Sequence, residues 1–522
     1  LGYRKVKPVT QDRRDFSVCG LSGAGNPNCG GSATSGEGNA LVFSDGTSTF
    51  FTFGPDRTLE PGTALFNFNP YNHFQRPDER YIAGAFANYE VTPAIKPYLE
   101  FMFMDDFTRA QIAPSGNFGN TFTLNCDNPL MSAQARDIVC ADENLITGFI
   151  GNFPVASGAP YNPDPAAPPI DFIDPSTGLA YNRGYFNLLR RNVEGGPRIN
   201  ELSHTTFRGV VGSRGDLSNV WSYDAYYQYG RTNYTQVFRN EFSISRLTRA
   251  LDVVTDTRPG SPTFGQPVCR SALAGTDPTC APYDIFGTPS AAAINYLNVF
   301  GVMEGKTSEQ VANINFTGAL GDYGMQLPWA EDGIGVNAGF EYRKEKLALN
   351  PDQSFQTGDL TGQGAPTLAV DGEFDVKEIF AEAQFPIVQN SFIHELSLLA
   401  GYRKSWYSTH SDQLGADADR KYDTDTYKFG VEFAPIRDVR LRAAYNRAVR
   451  APNIQELFAP QFVGLDGSTD PCAGITITAA DAGCLAQGLV IGQSTPANPA
   501  EQYNGLLGGN PLLNPEKATT KT

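Results

Sequence analysis

Residues 98–107 read Tyr-Leu-Glu-Phe-Met-Phe-Met-Asp-Asp-Phe. In an extended chain successive side chains point to opposite faces, so Leu99, Phe101, Phe103 and Phe107 share one side and Glu100, Met102, Met104 and Asp106 the other. A period of two predicts a β-strand with one apolar face. Trp221, Tyr223, Ala225, Tyr227 and Tyr229 alternate in the same way with Ser222, Asp224, Tyr226, Gln228 and Gly230. Val336, Ala338, Phe340 and Tyr342 oppose Asn337, Gly339, Glu341 and Arg343, and Ile379, Ala381, Ala383 and Phe385 oppose Glu378, Phe380, Glu382 and Gln384. Tyr427, Phe429, Val431 and Phe433 oppose Lys428, Gly430 and Glu432, and Val439, Leu441, Ala443 and Tyr445 oppose Arg440, Arg442, Ala444 and Asn446. About twelve strands of this kind can be drawn.

A soluble sandwich also alternates, so the connections decide between architectures. Short turns at Thr92–Lys96, Arg214–Ser218, Pro386–Asn390 and Pro435–Asp438 join the strands in pairs. The connections between pairs run from about 15 to about 90 residues, and short turns at one end with long loops at the other is the asymmetry of an outer-membrane barrel. The expectation is an all-β, antiparallel transmembrane β-barrel with periplasmic turns and extracellular loops. Tyr89 and Tyr98, beside the first turn, fit an interfacial girdle and equally fit ordinary core positions of a sheet. Glu341, Arg343, Glu378, Glu382, Arg440 and Arg442 would be costly on a lipid face, on the order of 2 to 4 kcal/mol for each Arg at the midplane, so they are expected to face a wet lumen, solvated or paired with one another.

Composition agrees. The 522 residues include 53 Gly and 36 Pro, and 12% are aromatic. The net charge of −16 gives no clustered cationic surface for nucleic acid. No uninterrupted apolar run of about 18 residues occurs, and a mean hydropathy of −0.30 excludes a helical membrane protein but not a barrel.

The eight cysteines fall into neighbouring pairs, Cys19 with Cys29, Cys126 with Cys140, Cys269 with Cys280 and Cys472 with Cys484, each in a loop-like stretch rich in Gly, Pro, Asn or Asp. Zinc is the competing explanation, but no CxxC or nearby His accompanies any pair, so loop disulfides and an oxidising compartment are expected.

The segment Arg442-Ala-Ala-Tyr-Asn-Arg447-Ala-Val-Arg450-Ala451-Pro452-Asn453-Ile-Gln-Glu456-Leu457-Phe458-Ala-Pro460 resembles a barrel element of TonB-dependent outer-membrane receptors, in which a strand ends in an Arg-Ala-Pro-Asn-Ile turn followed by Glu-Leu-Phe. Gly509-Asn510-Pro511-Leu-Leu-Asn-Pro515-Glu516-Lys-Ala518 is similar to the element that leads into the family's next strand. Weaker similarities to large-loop proteobacterial members lie at Asn67–Tyr71, Arg76–Arg80 and Gly339–Arg343. The resemblance implies a roughly 22-stranded barrel closed by an N-terminal plug domain, and a TonB box through which the TonB protein energises uptake. On this reading residues 1–522 are part of the barrel domain, with the plug and the closing C-terminal strands outside them. The implied partners are outer-membrane lipid, TonB and a small nutrient such as an iron–siderophore, cobalamin or a glycan, and no cofactor is implied.

Catalytic patterns are weak. His73, His204, His394 and His410 are scattered without metal-ligand spacing, and Gly20–Gly25 lacks the strand–helix context of a nucleophile elbow. Alternation puts Asp105 and Asp106 on opposite faces, so with Asp375 they make no glycosidase pair. The sequons at Asn233 and Asn315 fall in predicted strands. Tyr161, Tyr181, Tyr283 and Phe286 could stack on a ligand, or pack loop against loop. The rival functions are a passive porin or surface adhesin and a secreted carbohydrate-binding β-protein.

Overall fold

The computed structural model describes the chain except residues 15–18, 22–26, 45–46, 147–148, 151–152, 155–168, 468 and 494–502. Its main element is a 12-stranded antiparallel sheet whose strands are neighbours in chain order: β1 Gly2–Val6, β2 Asp78–Asn88, β3 Lys96–Pro114, β4 Pro197–Asp216, β5 Trp221–Phe242, β6 Asn298–Ala319, β7 Gly335–Pro351, β8 Val370–Gln389, β9 Glu395–His410, β10 Arg420–Ile436, β11 Val439–Arg450 and β12 Glu516–Lys521. Among the described residues no helix is long and apolar enough to cross a membrane, a finding silent on strands.

Register turns the alternation of each strand into continuous faces. Leu99 stands opposite Val211, Val211 opposite Tyr227, Tyr227 opposite Ala312 and Ala312 opposite Tyr342, an apolar row across five strands. Large side chains on this face are bare to solvent: Val211 is 57% exposed, Ile379 48% and Phe429 57%. Contiguous bare apolar surface on this scale marks an interaction face, and no soluble sheet leaves its hydrophobic side uncovered.

The connections separate by end. Residues 89–95, 217–220, 320–334, 390–394 and 437–438 close one end of the sheet, and 7–77, 115–196, 243–297, 352–369, 411–419 and 451–515 lie at the other. Two depart from the sequence expectation. The 320–334 connection belongs to the turn end, where it folds back so that Trp329 bridges Val388 and packs edge-on against Phe392. The 411–419 connection is short although it lies at the loop end.

The loops 7–77, 115–196 and 243–297 condense into a cap. Strands 39–44, 47–53 and 59–61 of the first loop join 116–118 and 187–191 of the second in a five-stranded sheet. Three helices flank it, α1 Ala133–Val139, α2 Ile244–Leu251 and α3 Ala291–Leu297, and each begins on a serine, Ser132, Ser243 or Ser290, whose hydroxyl accepts an N–H one turn on. Leu59, Leu124, Phe186, Leu188, Phe242, Leu247, Tyr283 and Leu297 form its core.

Candidate functional site

The polar face is a network of cross-strand pairs. Glu382, Gly401 and Lys428 stand in one row on β8, β9 and β10, and the Lys428 ammonium reaches Glu382 at 2.9 Å across the space that Gly401 leaves free. Glu341 and Glu378 are directly opposite, a repulsive placement offset by other donors. Glu341 accepts from Asn313 at 3.1 Å, and Glu378, only 5% exposed, accepts from Arg403 at 3.0 Å and Ser405 at 2.5 Å. Arg343 meets Glu345 at 3.6 Å, Arg440 meets Glu432 and Glu395, and Arg442 meets Glu432. All six charges assigned to this face by alternation lie there and are partnered. A cavity of about 450 Å³ opens among Arg343, Glu378, Arg403, Tyr407, Thr426 and Lys428.

Farther toward the loop end this face turns apolar, and α4, Ile454–Phe458, covers it. Its start is a capping box: the Asn453 side chain accepts from the Glu456 N–H, and the Glu456 carboxylate accepts from the Asn453 N–H. Arg450 holds that carboxylate from the end of β11 and, with its remaining donors, grips Glu516 at the start of β12 at 2.7 Å. Arg450 and the Asn453 N–H hold the Glu456 carboxyl below the usual carboxylate range. Ile454, Leu457 and Phe458 are buried against Phe374, Ala418, Leu347 and Tyr407. Phe458 lies so close over Gly372 that a Cβ there would stand 2.3 Å from its ring. The second motif is fastened by Arg420, which donates to the carbonyls of Pro511 and Leu513 at 2.8 and 2.9 Å. The turn expected at Arg450–Ile454 is thus a helix entry, and Pro452 is buried there.

The two tyrosines beside the first turn part company. Tyr89 is exposed at the turn end, but Tyr98 points to the polar face, where its hydroxyl donates to Asp224 at 2.7 Å and its ring lies across Gly212. Even-numbered positions of β3 share the polar face, so nearness to the turn was outranked by parity.

In the cap, Cys126–Cys140 and Cys269–Cys280 are disulfide-bonded, and Cys472–Cys484 is bonded within the 451–515 loop. The backbones of Cys19 and Cys29 are paired in a short ribbon; their side chains, like Tyr161 and the bulk of Gly20–Gly25, lie outside the described residues. Tyr283 and Phe286 are buried in the cap core, so they pack loop on loop. Tyr181 lies under the Arg270 guanidinium at 3.7 Å. Arg270 is the cap's buried ionic hub, reaching Asp127 at 2.7 Å, Asp252 at 3.1 Å and Asp174. Burial works against its charge, but these carboxylates outweigh it and hold the guanidinium above its ordinary value. Arg191, enclosed without a carboxylate beside the Phe66 and Phe118 rings, is lowered to about 10 by burial and by Arg198.

No cluster of three metal-ligating side chains occurs among the described residues. Asp105 accepts from Thr205 on one face and Asp106 pairs with His204 and Arg80 on the other, so the two carboxylates do not converge. Both sequons lie within strands, β5 and β6.

A family model described as TonB dependent receptor-like, beta-barrel, matches residues 146–522. The chain belongs to the TonB-dependent receptor family. Among solved structures, the ferric-catecholate import receptor Fiu from E. coli K12, in an open form, aligns with 82% of this chain at 12% identity and a TM-score of 0.31. The chain spans 56% of that receptor's length. Among curated proteins none matches in sequence. The cross-strand partners Arg403 and Lys428 were not singled out from the sequence. Their signal was parity combined with register, and a bulge between Pro386 and Val388 shifts the register that the turn alone would give.

Proposed function

We propose that this chain forms part of the wall and the extracellular cap of an outer-membrane transporter that takes up a scarce nutrient, an iron–siderophore, cobalamin or an oligosaccharide, with energy delivered through TonB. The observation that carries the reading is the division of one sheet into a bare apolar face and an ion-paired polar face. Such a wall is stable only between lipid and a wet interior. A secreted carbohydrate-binding protein would leave that apolar face in water. On this reading the loop end faces the outside, where disulfides persist, and the turn end faces the periplasm.

The experiment is uptake by cells carrying the full-length gene, under iron, cobalamin or glycan limitation, with and without a functional TonB protein. Active uptake predicts that the full-length gene restores growth on one limiting nutrient and that loss of TonB abolishes the rescue. Rescue that persists without TonB would indicate a passive pore instead.

A further inference from the structure

Beyond transport, we propose that the lipid face carries a built site for one phosphorylated membrane lipid, an acyl chain lying in a groove between β7 and β10 and the headgroup resting on a cationic crown above it. The inference rests on the lipid-face assignment made above. Elsewhere on β3–β11 the face is set with large side chains, among them Phe101, Val211, Phe340 and Leu441. Between β7 and β10 a row of alanines interrupts them: Ala338 stands opposite Ala381, and Ala383 opposite Ala400. These form the floor, Val336 closes the turn end, and Tyr402 and Phe429 wall the sides of a cleft of about 550 Å³. A cleft of this size in the lipid face cannot stay empty in a bilayer, since a void forfeits the dispersion contacts of its lining. Each methylene that fills it recovers that contact.

The end of the groove toward the loops is polar in a patterned way. The Tyr402 hydroxyl donates to Asp425 at 2.5 Å, and the Lys404 ammonium reaches both Asp423 and Asp425. Those two carboxylates are thereby engaged. Two cations stand outside these ion pairs. The Arg447 guanidinium lies over the Tyr427 ring at 5.8 Å and acts on Asp425 only through space, and Lys377 is exposed and has no ion-pair partner among the described residues. Lys377 stands four residues from Ala381 along β8, about 13 Å at the rise of a strand. A phosphate carried above an acyl chain seated on Ala381 therefore meets Lys377 and Arg447, and a neutral lipid would leave Lys377 without an ion-pair partner.

The test is native mass spectrometry of the full-length receptor in mild detergent, wild type beside Ala381→Trp, which fills the groove from its floor, and Lys377→Glu, which reverses the crown. Heat-modifiable mobility is recorded for each to report an intact barrel. The proposal expects one phosphorylated lipid retained per wild-type barrel, at least ten-fold lower occupancy in A381W, and a several-fold loss in K377E. Equal occupancy in wild type and A381W, no retained lipid, or a second copy of the chain released by A381W would overturn it. Loss of heat-modifiable mobility in the wild type would instead refute the barrel reading itself.

Discussion

Phe458 is the residue on which the wall's inner apolar patch turns, because its ring fills the space above Gly372 and closes the cluster with Leu347, Phe374 and Tyr407. Truncation to alanine should cost about 3 to 5 kcal/mol, the range for large-to-small core changes. Asn453→Ala removes only a helix cap and should cost about 1 kcal/mol. Gly372→Ala should displace α4 without removing any of its contacts chemically, because its new methyl group meets the Phe458 ring. Urea unfolding of the three variants in vesicles checks the order, and an N453A loss equal to that of F458A would contradict it. The polar face gives a second contrast. Glu378 is buried beneath Arg403 and Ser405, so Glu378→Ala orphans donors and should cost about 1 to 3 kcal/mol. Glu382→Ala breaks a pair whose partners are both about half exposed and should cost less than about 1 kcal/mol.

At the scale of elements, the cap is a folded unit made from loops that are far apart in sequence. Arg57 joins Asp284 by two hydrogen bonds, Arg270 draws Asp127, Asp174 and Asp252 together, and the five-stranded sheet takes strands from two loops. Replacing Cys126 and Cys140 by serine opens a loop of sequence separation 14 and should lower cap stability by about 3 kcal/mol. Near-UV circular dichroism during melting reports it, and an unchanged cap transition would count against this. The cap should also be acid-sensitive. Arg258, Ser261 and Thr263 donate to Asp256 and hold its carboxyl well below the usual range. Burial alone would raise Asp277, but Tyr296, Thr279 and Arg249 lower it. A carboxyl depressed in the folded state contributes stability above its unfolded value, about 4, and that stability is lost as the pH falls through the folded value. Cap melting should therefore move down between pH 6 and pH 3; equal midpoints would refute this.

The wall strands were legible in the sequence because parity is a local property. Phe101 and Glu100 declare their faces without knowledge of their neighbours, and turn signals of four or five residues mark where strands meet. The cap was not legible. Its strands are short, its pairings join residues such as Asn39 and Leu189, and its core depends on Tyr283 meeting Phe242, contacts that no periodicity announces. Arg450–Phe458 was recognisable as a motif, yet its helix and its grip on Glu516 are tertiary facts. Tyr98 stayed open because an aromatic next to a turn suits an interface or the packed side of a sheet equally, and only parity separates the two.

For the whole molecule, the central claim is that one face of the 12-stranded sheet meets lipid and the other meets the lumen. The most direct measurement places single cysteines in the full-length receptor at Phe340, Ile379 and Phe429 on one face and at Glu341, Glu378 and Lys428 on the other. Each is labelled with a fluorophore, and quenching by brominated lipid acyl chains is compared with quenching by iodide. The account predicts lipid quenching at Phe340, Ile379 and Phe429 and iodide quenching at their immediate neighbours, alternating residue by residue. Quenching by iodide at all six positions, or by lipid at all six, would contradict it.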